Sequence, residues 1–176
     1  MAVPGAAITQ LVPVDELAPG GAAAIRNQVT QALLAQAASE QRMPVERLVA
    51  RDIRPGSDLD YGSETWEELT GATTGAYESM STGTLADQRY VAFFGVQDDS
   101  PVRTCSLLKF NIGGGDRAIW NLQNLGKERV GYSPSAIVIP PNGPYTISRY
   151  VTVANLGAYI TLKGVVVEPR GKVVSP

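Results

Sequence analysis

"AYITLKGVVV", residues 158–167, changes its pattern halfway along. Up to Lys163 it alternates, with Ala158, Ile160 and Leu162 on one face and Thr161 and Lys163 on the other, which is the period of a β-strand. After Gly164 three valines make both faces apolar. The glycine therefore predicts a bulge or the close approach of another backbone. The same period recurs in "YTISRYVTV" (145–153), where Tyr145, Ile147, Val151 and Val153 oppose Thr146, Ser148 and Thr152. In "LLKFNI" (107–112) Leu108, Phe110 and Ile112 oppose Lys109 and Asn111, while "RYVAFFGV" (89–96) is apolar on both faces, as a central buried strand is. "VERLVARDI" (45–53) predicts one more strand. Turn clusters "QDDSP", "NIGGGDR", "PPNGP" and "NLG" separate these runs, and no crossover helix intervenes. Together they predict an all-β chain, an antiparallel β-sandwich or jelly-roll-like domain of about six to eight strands.

The first sixty residues differ. All twelve aromatic residues lie at or after Tyr61, so the bulk of the core is expected in the C-terminal two thirds. The chain opens "MAVPGAAITQLVPVDELAPGG", where Pro4, Pro13, Pro19 and neighbouring glycines exclude a helix and predict an extended arm. Next, Ile25, Val29, Leu33 and Ala37 recur at i+4 in an Ala/Gln/Leu-rich run, predicting one amphipathic helix over about residues 22–42 that ends before Pro44. Such a helix is marginal alone and must pack on its own domain, on a copy or on a partner. The expected division is an arm and helix over 1–43 and a β domain over 44–176, the latter expected to fold without residues 1–42. Residues 54–88 are polar and aperiodic, and are predicted as a long ordered loop pinned by Trp66, Leu69, Tyr77, Met80 and Leu85.

Charge and composition narrow the function. Fifteen Lys+Arg against seventeen Asp+Glu leave a net charge of −2 with no basic run, so no nucleic-acid partner is expected. No apolar stretch approaches the roughly 20 residues that span a bilayer, and no signal-peptide pattern opens the chain, so a soluble protein made in a cytoplasm is expected. There is no histidine and one cysteine, Cys105, set in a strand-like run. That removes Ser-His and Cys-His chemistry and the common zinc sites, and Cys105 reads as a buried apolar side chain. "NIGGGDR" lacks the lysine and the following helix of a phosphate loop. In "DLDYGSETWEEL" (58–69) Asp58, Asp60, Glu64, Glu67 and Glu68 surround Tyr61 and Trp66, a composition shared with glycoside hydrolases and calcium loops. Its spacing fails the calcium-loop pattern, because Gly62 takes a ligand position, and a solvated acidic loop is expected. No catalytic residue, cofactor or metal is assigned.

"PPNGP" (140–144) fixes its own shape, since prolines pre-set φ and remove donors, and such a tip suits repeated docking. An arm, a lone helix, a β body and no catalytic equipment suggest a protein whose work is contact within an assembly. The residues assigned to partner contact are Leu11, Val12 and Val14 in the arm, Ile25, Val29 and Leu33 on the helix, and Pro140, Pro141 and Asn142 at the tip.

The arm and helix, the strand in "LVARDIRPGSDLD" and the β run ending "ANLGAYITLKGVVVEPRGKVVSP" resemble small virion structural proteins of tailed bacteriophages, of the capsid decoration (cement) and neck or tail accessory types. The resemblance implies a β-sandwich or jelly-roll body that oligomerises, often as a trimer, and clamps a major capsid protein with its arm. It implies a place in the virion after synthesis in the host cytoplasm, while the charge and the short apolar runs predict no nucleic-acid or membrane partner. The other reading from the residues is a carbohydrate-binding β-sandwich with Trp66, Tyr61 or Trp120 as sugar platforms. Exposed, coplanar rings would distinguish it.

Overall fold

The computed structural model describes residues 6–172. In chain order the elements are β1 (Ile8–Gln10), β2 (Val12–Pro13), α1 (Gly21–Gln41), β3 (Leu48–Asp52), α2 (Pro55–Asp58), β4 (Glu67–Leu69), β5 (Ala76–Thr84), β6 (Tyr90–Asp98), β7 (Cys105–Ile112), β8 (Gly115–Asn121), β9 (Val130–Ile139), β10 (Pro144–Val151) and β11 (Gly157–Pro169). They form two sheets, β1-β8-β7-β10-β5 and β2-β9-β6-β11-β3, with β4 added beside β11. Four antiparallel pairs are nested in sequence: β7 with β8, β6 with β9, β5 with β10, and β3 with β11. This is a mainly β molecule of two stacked sheets, a β-sandwich.

Alternation decides what lies between the sheets. Leu108, Phe110 and Ile112 of β7, Ile147 of β10 and Ile160 and Leu162 of β11 all enter one core. There Phe110 sits 5.6 Å from Phe93 and 4.7 Å from Trp120, ring centre to ring centre. Cys105 is buried in the same core, and burial pushes its thiol pKa up, as befits an inert packing residue.

A third layer explains the change at Gly164. Helix α1 lies on the outer face of the second sheet, where Leu33 and Ala37 pack with Leu48, Tyr90, Ala92, Phe94, Tyr132, Val165 and Val167. Strand β11 is apolar on both sides only where the helix covers it, and β6 is apolar on both sides for the same reason. At Gly164 the β6–β11 register shifts, and a Cβ there would stand 3.0 Å from the Ala92 carbonyl oxygen, so both the predicted bulge and the close approach are present. The helix ends at Arg42, whose φ of 52° is left-handed and whose N–H donates to the Ala38 and Ser39 carbonyls.

Three expectations need correction. Residues 54–88 are not one loop, because Ala76–Thr84 form a nine-residue strand at the edge of the first sheet. The strand in "VERLVARDI" starts only at Leu48, since Val45–Arg47 make a 3-10 turn. The N-terminal segment, of which Pro4 and Gly5 lie outside the described residues, is not a free-standing arm where it is described. Ile8–Gln10 add parallel to β8, and Val12–Pro13 add antiparallel to β9. Leu11 between them is 4% exposed and covers Gly131, where a Cβ would fall 2.9 Å from the Leu11 Cβ. The segment thus bridges the edges of both sheets.

Candidate functional site

The five acids of 58–68 do not converge on a cleft. Asp58 turns inward and takes a two-pronged bond from Arg51, with both N–O distances 2.6 Å, and its Oδ2 also accepts from the Arg54 backbone N–H. Glu168 of β11 accepts from Arg51 through Oε1 and from Arg89 through Oε2, at 2.8 and 2.9 Å. The Asp58 and Glu168 side chains are 0% and 2% exposed. Two arginines and two carboxylates form a closed, neutral network that ties β3, α2, β11 and the start of β6 together. Bonding to Asp58 in particular raises the Arg51 pKa above its ordinary value.

Glu68 belongs to a second network, built on a residue that simple alternation places inside. Arg149 shares the inward face of β10 with Tyr145, Ile147 and Val151 and is fully buried. Its guanidinium donates to the Leu69 carbonyl at 2.9 Å and meets Glu68 at 3.2 Å and Glu78 at 3.3 Å. Glu78 in turn accepts from the Gly71 N–H. With these carboxylates engaged by arginine and backbone donors, the cluster holds the β4–β5 connection against the sheets. Among the described residues no group of three or more metal-ligating side chains occurs.

Two buried phenols give a pH signature. Burial, and then the nearby Glu68, push Tyr61 up to about 12 from 10.0; burial and the bond to Glu40 push Tyr90 to about 12 as well. Because the fold favours the neutral phenols, their stabilising contribution is complete below pH 10 and disappears as pH rises toward 12. Thermal melts taken across this window should show a steep decline, and the paired variant Tyr61→Phe, Tyr90→Phe should flatten it. An equally steep decline in the variant would place the alkaline sensitivity elsewhere.

The proposed sugar platforms are closed. Trp120 is 0%, Tyr61 7% and Trp66 8% exposed, and Tyr61 and Trp66 are tilted by 52° at 5.1 Å, packed on each other rather than presented as a flat surface. Trp120 is enclosed because alternation along β8 turns it into the core beside Phe110.

The partner-contact residues fall into three places. Leu11 and Leu33 are 4% and 2% exposed, buried in the chain's own two cores, because Leu11 seals the sheet edges and Leu33 seats the helix. Val14, Ile25 and Val29 are half-buried in the helix layer. Yet Val12, Ile25, Val29 and Leu33 also line one groove of about 310 Å³ between α1 and β9. Pro140, Pro141 and Asn142 form a turn closed by the Gly143 N–H donating to the Pro140 carbonyl at 3.0 Å. Pro141 at the second position and Asn142, with φ of 56°, at the third are the requirements of a type II turn. The tip is bonded to the β5–β6 connection through Leu85 and Asp87, and Pro140 and Asn142 are exposed.

Sequence reasoning missed a cap of exposed apolar residues. Leu69 is 69%, Val102 53%, Leu156 40% and Tyr77 38% exposed, four of the six large apolar side chains that stand clear of the described surface. Leu69 pairs in register with Gly157, and the Thr70 N–H donates to the Leu156 carbonyl. The loop carrying Val102 starts beside Tyr159 and ends beside Thr152 and Val153. Three connections thus bring Leu69, Val102 and Leu156 to one end of the sandwich, while Tyr77 lies on β5 with its ring edge-on to Tyr150 and beneath Lys109. No family model matches the chain, and no curated protein matches it.

Proposed function

We propose that this chain is a structural component of a virus particle, of the capsid decoration or cement type, which associates with its own copies and binds a shell protein without chemistry of its own. The observation that carries the reading is the apolar end formed by Leu69, Val102 and Leu156, since water contact at these neighbouring large side chains is relieved by burial against another subunit. The four nested strand pairs support a jelly-roll plan, which is what results when a long hairpin of paired strands wraps into two sheets. Viral capsid domains use that plan, as do lectins and cupins, so the plan alone does not choose among them. The rigid proline turn at 140–143 offers a second, preformed point of contact at the opposite end of β10.

The paired variant Leu69→Asp, Leu156→Asp places charge on this end at positions that support no core. Sedimentation velocity should show a discrete oligomer for the native chain and a monomer for the variant, with melting temperatures closely matched. A variant that keeps the native oligomer overturns the assignment of this end as the contact.

A further inference from the structure

The ladder of the second sheet opens at one place. Tyr132 of β9 pairs with Gly95 and Ile137 with Phe93, so Ser133–Ala136 stand opposite Phe94 alone and bulge out. The Ser133 hydroxyl donates to the Ser135 carbonyl at 2.7 Å, which holds the bulge in shape. Strand β8 of the first sheet supplies the opposite wall of a cleft of about 590 Å³, bordered also by Pro140 and Pro144 at the proline turn. Small molecules occupy clefts of this size.

The inward-facing side chains of the cleft, Ile112, Ala118 and Ile137, belong to the apolar core between the sheets. Arg117 and Ser135 also line it but are exposed, so water serves their polar groups and they specify no occupant. The specifying group is Trp120. It lies at the floor of the cleft, 0% exposed, and its indole Nε1–H has no acceptor among the described residues. An indole N–H can only donate, and native folds leave few buried donors unserved. A lone water in that position needs several polar partners. Phe110, packed on the indole at 4.7 Å, and the core residues Ile112, Ala118 and Ile137 offer none.

We infer that this cleft binds a small neutral molecule with an apolar body, whose carbonyl oxygen accepts a hydrogen bond from the Trp120 Nε1–H. The apolar walls take the body, the indole fixes its one buried polar atom, and any further polar group lies toward Arg117 and Ser135. A neutral acceptor is specified because a carboxylate at the indole would lose its hydration while Arg117 stands out in solvent. The site is separate from the apolar end at Leu69 and Leu156, so either can fail without the other.

The test compares acetophenone with α-methylstyrene, which has the same shape and carries a methylene group where acetophenone carries oxygen. The full-length chain is titrated with each at submillimolar concentration, and the indole N–H resonances of Trp66 and Trp120 are followed by NMR. Acetophenone should move the Trp120 proton downfield in a saturable way and leave Trp66 in place. α-Methylstyrene should bind roughly tenfold more weakly, for want of one hydrogen bond, and without the downfield shift. Ala118→Leu fills the cleft from its wall and keeps the indole, so it should weaken acetophenone binding by roughly tenfold or more. Both ligands are compared on the native chain, so the comparison stands even where that variant fails to fold. A Trp120 proton unmoved by acetophenone, equal binding of the two ligands, or a folded Ala118→Leu chain that binds acetophenone as the native chain does would each overturn the inference. So would a long-lived water giving a nuclear Overhauser effect to the Trp120 N–H with acetophenone present, since solvent is then the acceptor.

Discussion

A chain lacking residues 1–42 is expected to lose its cooperative thermal transition, although its aromatic core begins only at Tyr61. The deleted part carries the helix layer, in which Leu33 is fully buried and Leu17, Ile25, Val29 and Leu34 are packed in part. At about 1.5–3 kcal/mol for a fully buried side chain and less for the others, this layer contributes on the order of 5–10 kcal/mol. A whole domain has a net stability of about 5–15 kcal/mol. The deletion also bares the outer apolar face of the second sheet at Tyr90, Phe94, Tyr132, Val165 and Val167, and it strips β1 and β2 from the edges of β8 and β9. Circular dichroism of the truncated chain should show no sharp melt, with dye binding typical of exposed apolar surface. A cooperative melt with native near-ultraviolet signal would instead mean that the helix is an appendage and the β body is self-sufficient.

Glu168→Gln is the second large expected effect. The substitution keeps the shape but removes one of two carboxylates from the network with Arg51, Arg89 and Asp58, leaving a buried surplus of positive charge. Arg51 and Arg89 are 18% and 12% exposed, so water relieves part of the penalty. A loss of about 3 kcal/mol is expected, at the lower end for a broken buried pair. For a chain of this size that is roughly 6–12 °C in Tm. Adding Arg89→Met restores neutrality and should recover a large part of the loss. A single variant within about 1 kcal/mol of the native protein would show that these ions behave as a surface pair.

Those two networks also show where the sequence stops being readable. Alternation placed the cores of β7, β10 and β11, except that Val153, read as the last inward residue of β10, lies in the bend after the strand ends at Val151, and Gly164 announced both the bulge and the contact with β6. The i+4 stripe of α1 faces the sheet as its spacing requires. Strand β5 escaped because it is an edge strand whose inward residues include Met80 and Ser81 but no run of large apolar side chains. Arg149 escaped because a charge inside an alternating pattern reads as an exception to it, when the alternation had placed it inside. The acidic cluster could not be divided from sequence alone, since the arginines that separate Asp58 from Glu68 lie on β3, β6's approach and β10.

The candidate contact residues were legible in kind rather than in place. Val12 of the N-terminal segment and Ile25, Val29 and Leu33 of the helix stripe meet in one groove only because α1 crosses β9. Leu11 and Leu33 instead hold the fold together, each buried in one of its two cores. Leu69 and Leu156 looked like loop residues. Their grouping depends on β4 pairing with β11, a contact between segments nearly ninety positions apart.

The most direct test of an assembly role is the mass of the purified full-length chain in solution, measured by light scattering over a series of concentrations. A discrete multiple of 18.7 kDa that persists on dilution is the expected result. A mass of 18.7 kDa at every concentration would contradict the account, because the apolar end would then face water in the working state of the protein.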